Sequence, residues 1–285
     1  MRGRLALFAP ALLGASSFAA GDVLSKITLN AGADALTVAA ARGILGVALL
    51  FAWLRLRQSS LALPPRPKWI SLGLGVVFAA NIFLLFQAFA TIEVPIAILS
   101  YFVYPLLTGL MAAATGLDAL TWRGSAAAFA AFLALALMIG AHPMALAFTG
   151  VLAALGAACC RMVMLLVTRA ALQGSDPLLI TWYSLVSSTT VLTAAALATW
   201  NWQPPANAAG WAALIVLSGA VTGGMLGVFA STMRIGPFRT ALFMNLEPLL
   251  ATIGSALFLD ELITPLQALG GATMIAALVA FQLRR

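Results

Sequence analysis

The side chains best suited to bind a ligand lie inside long apolar stretches of this sequence. Glu247 directly precedes Pro248, and proline has no N–H to bond the backbone carbonyl one turn earlier. A carboxylate beside a freed carbonyl suits a ligand ammonium group. Glu247 could also carry a proton, or stay protonated and hydrogen-bond a neighbouring helix as a structural contact. The sequence leaves these three roles open.

Tyr104 also directly precedes a proline, and Tyr101 lies one turn before it. Rings that carry a hydroxyl can hold an amphipathic molecule between apolar and polar contacts, although packing between helices is an equal alternative for each tyrosine. Anchoring at the membrane surface is the alternative for a tryptophan near the end of a span. The further candidates for lining a binding site are Asn81, Asn245, Phe86, Gln87, Met244, Trp182 and Tyr183.

Besides Glu247, four basic or acidic side chains fall within apolar stretches, where an unpaired charge is costly. Asp22 and Lys26 are spaced i, i+4 on one helix face, and we expect Asp22 to pair with Arg42 as an outer gate. Lys26 can instead extend to the membrane surface. Arg161 falls in the inner half of the sixth predicted span, where it can attract a substrate carboxylate from the cytoplasm or reach the inner lipid headgroups. We expect it to reach the headgroups.

Motifs that would anchor an enzymatic function are absent from the sequence. It has no Gly-x-x-x-x-Gly-Lys phosphate loop and no Gly-x-Ser-x-Gly elbow. Its single histidine, His142, cannot form a His-Glu-x-x-His site. We therefore predict no catalytic residues, no metal ligands and no cofactor.

The composition identifies the environment that surrounds these residues. The chain has 285 residues, of which 63% are hydrophobic and 8% charged, whereas soluble domains carry about 25% charged residues. A soluble fold is excluded, and an all-α integral membrane protein is predicted, since each crossing needs about 20 apolar residues. We predict ten spans, which start near Leu5, Ala35, Trp69, Val94, Trp122, Ala147, Leu178, Ala209, Pro237 and Ile263.

The positive charges indicate an orientation. With the amino terminus in the cytoplasm, twelve of the 15 Lys and Arg residues lie on the inner side, so both termini are predicted to be cytoplasmic. The net charge of +7 then reflects topology and contact with anionic membrane lipids, and no nucleic-acid partner is predicted. The first apolar stretch resembles a signal peptide, but we expect it to be retained as a helix of the repeat described next.

The sequence repeats weakly at an offset of 143 residues. This offset aligns Pro105 with Pro248, Asp118 with Glu261, and Thr121 with Thr264. Residues 1–142 and 143–285 would each hold five spans, and because five is odd the second half must enter the membrane from the opposite side. Inverted repeats of this kind are typical of secondary transporters, which bind substrate near mid-membrane between the halves. Separately, Gly219, Gly223 and Gly227 form a stripe that predicts close helix contact.

The carboxy-terminal half carries a recognisable pattern. It consists of Asn245-Leu246-Glu247-Pro248, then Leu259-Asp260-Glu261-Leu262-Ile263-Thr264, then Gln267-Ala268-Leu269-Gly270-Gly271. The pattern resembles the second EamA repeat of the drug/metabolite transporter superfamily. A fainter version occurs around Pro105 and Leu117-Asp118-Ala119-Leu120-Thr121, where Ala119 departs from the usual pattern. Within the superfamily the chain looks most like YddG-type exporters of aromatic and other amino acids.

The resemblance implies ten helices in two inverted halves and export of amino acids by alternating access across a bacterial inner membrane. Membrane lipids and a small-molecule substrate are the expected partners, protons are left open as a coupled ion, and a monomer is compatible with the repeat. A drug, nucleotide-sugar or cofactor carrier of the same superfamily is the nearest alternative. An intramembrane enzyme or a channel is the alternative from another class of protein.

Overall fold

A computed structural model describes residues 2–58, 60–119, 121–139, 147–199, 202–259 and 262–283, and within these ranges all regular structure is helical. Asp260, Glu261 and His142, which the sequence analysis singled out, lie outside the described residues. The helices are α1 (Arg2–Asn30), α2 (Ala35–Leu56), α3 (Pro65–Thr91), α4 (Val94–Tyr101), α5 (Tyr104–Ala114), α6 (Trp122–Ile139), α7 (Phe148–Ala171), α8 (Pro177–Ala198), α9 (Ala208–Ile235), α10 (Pro237–Met244), α11 (Leu246–Phe258) and α12 (Pro265–Leu283).

Nine segments of the described chain are long and apolar enough to cross a membrane. Two of them combine a pair of short helices, α4 with α5 and α10 with α11. These nine segments confirm that the chain is a multi-pass membrane protein. The tenth predicted span coincides with a shorter apolar segment in α12, Pro265–Val279, and remains a prediction. Every predicted start lies within four residues of an observed helix start.

Proline and capping side chains define several of these starts. Proline occupies the first position of α3, α8, α10 and α12, where its missing N–H costs no helical hydrogen bond. Asp34 caps α2, and its Oδ2 accepts hydrogen bonds from the backbone N–H groups of Leu36 and Thr37, both at 3.0 Å. Asn207 caps α9 by accepting from the N–H of Gly210 at 2.8 Å.

The helix starts follow the 143-residue offset. α3, α4 and α6 begin at residues 65, 94 and 122, and α9, α10 and α12 begin one offset later, at residues 208, 237 and 265. α4 and α10 also have the same length of eight residues. The helix boundaries are therefore in register over this part of the two halves.

Contacts between helices follow the same correspondence. α1 packs along α9 and against α11. In the corresponding contacts of the other half, α7 packs along α3 and against α5. α2 contacts α8, and α6 contacts α12. Most of the packing thus joins one half of the chain to the other, which leaves the centre of the molecule between the halves.

The closest approach of α1 and α9 depends on glycine. A Cβ atom at Gly227 would lie 2.5 Å from the backbone nitrogen of Gly14 and 2.7 Å from the carbonyl oxygen of Pro10. A Cβ at Gly223 would lie 3.2 Å from the Ser17 hydroxyl, whereas one at Gly219 would meet no atom within 4 Å. The predicted contact stripe is therefore correct at Gly227 and wrong at Gly219.

Candidate functional site

Two broken helices bring the candidate residues to the middle of the fold. The first breaks at Phe102 and Val103, so that Tyr104 begins α5, and the second breaks at Asn245, so that Glu247 lies in the first turn of α11. Both breaks occur near the middle of a segment long enough to span a membrane. Because Pro105 and Pro248 have no N–H, the carbonyls four residues earlier, at Tyr101 and Met244, have no helical partner there. Breaks of this kind line binding sites in many transporters.

Arg161 occupies the centre of the polar residues. Its side chain is only 4% exposed and lies near the middle of α7, about 15 to 20 Å from the two ends of that helix. Its guanidinium carbon lies 5.0 Å from the centre of the Phe18 ring and 6.0 Å from that of Tyr104, both within the range of cation–π contacts. The expectation that Arg161 reaches the inner headgroups is wrong, because buried neighbours surround its charge.

One acidic side chain, Glu247, interacts with this arginine. Glu247 interacts electrostatically with Arg161 and with Asp22, and Asp22 interacts in turn with Arg42. Asp22 is exposed, and Glu247 and Arg42 are partly exposed. Glu247 therefore connects the buried Arg161 to Asp22 and, through Asp22, to Arg42.

Aromatic and amide groups complete the centre. Tyr101 and Tyr104 are buried, and their ring centres lie 5.3 Å apart. Asn81 is 3% exposed, and its Nδ2 donates to the Ala157 carbonyl at 2.7 Å. Ala157 lies one turn before Arg161 on α7, so Asn81 fixes the helix turn that presents the arginine.

The structure places Trp182 and Tyr183 away from this group. Tyr183 donates its hydroxyl to the Leu61 carbonyl at 2.8 Å, and Trp182 packs edge-on against Tyr183, so both lie beside the connection between α2 and α3. Asn245 is buried and donates back to the Leu242 carbonyl at 3.1 Å within its own turn. The remaining candidates are Met244, which is fully buried, Phe86, which is partly buried, and Gln87 and Lys26, which are exposed.

Phe18 is a residue of the centre that sequence reasoning missed. It is a partly buried apolar residue on α1 and packs against three apolar clusters of the core. Its position one turn before Asp22 on the same helix is the signal that would have pointed to it. The ring of Phe18 and the carboxylate of Asp22 both lie beside a cation from another helix.

A cleft of about 470 Å³ lies elsewhere, between the start of α1, the start of α8 and the end of α9. Pro10, Pro177 and Arg234 are among its lining residues, and none of the candidate site residues lines it. The cleft is open to the surface of the protein, and its lining is mostly apolar. The polar centre around Arg161 is therefore the better candidate for a functional site.

The interaction between Asp22 and Arg42 leads to a measurable coupling. We expect Asp22→Asn and Arg42→Gln each to lower transport, and the double variant to lose less than both losses combined, with a coupling of about 1–3 kcal/mol. A double-mutant cycle on initial transport rates, normalised to the amount of protein in the vesicles, measures this coupling. Independent effects of the two substitutions would contradict the pair.

Comparisons with known proteins agree with this architecture. The model of the EamA-like transporter family matches residues 148–281. Among 29 solved chains that match, one titled "Crystal structure of protein" has a TM-score of 0.82 and 18% sequence identity, and the match covers 97% of this chain and 99% of that chain. This similarity shows a common fold. No curated protein matches the sequence. The chain therefore has helices long and apolar enough to cross a membrane nine times in its described part. Over residues 148–281 its sequence is similar to the EamA-like transporter family.

Proposed function

We propose that this protein is a secondary transporter that exports amino acids, aromatic and other neutral ones, across a bacterial inner membrane by alternating access. The two halves, residues 1–142 and 143–285, act as inverted repeats with both termini in the cytoplasm. The direction of transport and the YddG-like substrate class come from the family resemblance. A single chain holds both halves, so the proposal requires no second copy.

The observation that carries the proposal is the equivalence of the two broken helices. α4 and α10 begin 143 residues apart and have equal lengths, and the breaks after them lie near the middle of two apolar segments, next to Tyr104 and Glu247. Transporters built from repeats bind substrate at such a position. α1 packs on α9 as α7 packs on α3, and these two contacts join the halves on either side of the centre. Rocking of one half against the other would open the centre to each side in turn.

The charges of the centre suit a small zwitterion. Glu247 and Asp22 offer carboxylates for an ammonium group, and Arg161 offers a cation nearby. A nucleotide sugar would bring a diphosphate and require more cations than Arg161 and Arg42 supply. A polar centre enclosed by buried rings also differs from the continuous pore that a channel needs.

A counterflow assay tests the proposal. Purified protein in proteoliposomes loaded with unlabelled L-phenylalanine should accumulate labelled L-phenylalanine transiently, with saturation, and empty vesicles provide the control. A panel of the twenty amino acids defines the substrates, and an imposed pH gradient tests coupling to protons. Unsaturated flux without counterflow would instead indicate a channel, and no flux of any amino acid would overturn the substrate class.

A further inference from the structure

Two buried polar atoms in the centre lack well-formed hydrogen bonds. The Nε atom of Arg161 and the hydroxyl of Tyr104 are both inaccessible to solvent, and neither makes a hydrogen bond of good geometry to a described residue. The two side chains lie close enough to interact with each other. Their side chains are 4% and 1% exposed. Buried polar groups in proteins are nearly always hydrogen-bonded, and an unsatisfied one destabilises the fold. Because Arg161 and Tyr104 lie side by side without satisfying each other, they point to an acceptor that binds between them.

The chemistry of these atoms selects an acceptor with a negative charge. Arg161 Nε and the Tyr104 hydroxyl can both donate, and the guanidinium carries a permanent positive charge. A carboxylate matches the fork of a guanidinium with two parallel hydrogen bonds and retains lone pairs for a third donor. A neutral carbonyl or a water molecule would satisfy the donors but would leave much of the charge of Arg161 uncompensated.

The surroundings hold these donors in place. Phe18 lies against the guanidinium of Arg161, and Asn81 bonds the Ala157 carbonyl one turn before it, so the arginine is fixed from two sides. Glu247 provides an electrostatic partner for Arg161 when no ligand is bound. An incoming carboxylate would replace Glu247 as the partner of Arg161. Glu247 and Asp22 would then be available to bind an ammonium group. The two ends of an amino acid would thus be recognised by opposite sides of the centre.

We infer that Arg161 and Tyr104 form a carboxylate-binding subsite, so that the transported molecules must carry a free carboxylate. This inference rests on the proposed function, because it names the part of an amino acid that the centre recognises. It also distinguishes amino acids from cationic amines, which the acids Glu247 and Asp22 alone would accept.

Competition in the counterflow assay tests the subsite. L-phenylalanine and phenethylamine share a ring and an ammonium group, and only L-phenylalanine has a carboxylate. We expect L-phenylalanine to compete at least about tenfold better than phenethylamine, since hydrogen bonds to charged groups contribute on this scale. Both Arg161→Lys and Tyr104→Phe should shrink this preference severalfold. Arg169→Lys is the matched control, because Arg169 lies two turns further along α7 and donates to the Met233 carbonyl.

The results of this competition distinguish a carboxylate subsite from a purely structural pair of side chains. Equal competition by phenethylamine in the unmodified protein would overturn the carboxylate subsite while transport of amino acids stands. Tyr104→Phe and Arg161→Lys could also lower only the melting temperature and leave the preference for L-phenylalanine unchanged. That result would assign both residues a structural role and would overturn the carboxylate subsite. If no amino acid is transported, the subsite can still be tested by heating the protein in detergent with and without 3-phenylpropionate. We expect this carboxylate to protect the protein by raising its melting temperature. That protection should be lost in Tyr104→Phe, and its absence from the unmodified protein would overturn the subsite together with the proposed function.

Discussion

Glu247→Gln is expected to lower pH-gradient-driven transport of L-phenylalanine at least about 30-fold without lowering the amount of protein in the membrane. The substitution leaves the charge of Arg161, which is buried, without its acidic partner. An uncompensated buried charge costs about 2–5 kcal/mol, and 1.4 kcal/mol corresponds to a factor of ten. Glutamine has the size of glutamate and one accepting oxygen, but it has no charge and cannot carry a proton. Initial rates in proteoliposomes, with quantified protein, measure the effect.

Glu93→Gln is the matched control for this substitution. Glu93 is exposed at the start of α4 and makes no capping hydrogen bond with its side chain. We expect transport by Glu93→Gln to remain within about twofold of the unmodified protein, as is usual for a surface substitution. Full transport by Glu247→Gln would remove Glu247 from the functional site.

Two assays distinguish the roles that remain open for Glu247. A substrate contact should weaken both counterflow and gradient-driven uptake, because binding precedes each of them. A proton carrier should preserve counterflow, which needs no net proton movement, while gradient-driven uptake is lost. A structural contact should lower the melting temperature and leave both rates per folded molecule unchanged.

Gly227→Ala should lower the melting temperature of the protein in detergent by roughly 5 °C, since overpacking costs about 1–3 kcal/mol. The three atoms nearest to the added Cβ would be backbone atoms of Gly14 and Pro10 on α1, and backbone cannot rotate away as a side chain can. α1 and α9 would have to separate along the longest contact between the two halves of the chain. Small residues allow such close approach between helices in a membrane.

Gly219→Ala provides an internal control on the same helix. A Cβ at Gly219 has no atom within 4 Å, and alanine is a better helix former than glycine by about 1 kcal/mol. The melting temperature of Gly219→Ala should therefore stay the same or rise slightly. Equal losses in both variants would show that α9 responds to any added methyl group rather than to its contact with α1.

The site was only partly predictable from the sequence. Glu247 and Tyr104 were identified because each precedes a proline, and the structure places both beside helix breaks. Trp182 and Tyr183 were proposed as lining residues on the basis of residue type alone, and their contacts lie instead beside the connection between α2 and α3. Phe18 was missed because a phenylalanine in an apolar stretch resembles any other until its neighbours are known.

Hydropathy and charge in the sequence determined that this is a helical membrane protein, and they placed nearly every helix start within a few residues. This works because a chain in lipid must satisfy its backbone hydrogen bonds within each segment, so the length of an apolar run predicts a helix before any packing is considered. The tertiary structure alone decided which helix faces meet. Faces that point to lipid and faces that point to other helices are equally apolar, so sequence periodicity does not distinguish them. It could not show that Arg161 lies against Phe18 rather than at the headgroups. Nor could it show that Gly227 rather than Gly219 meets α1.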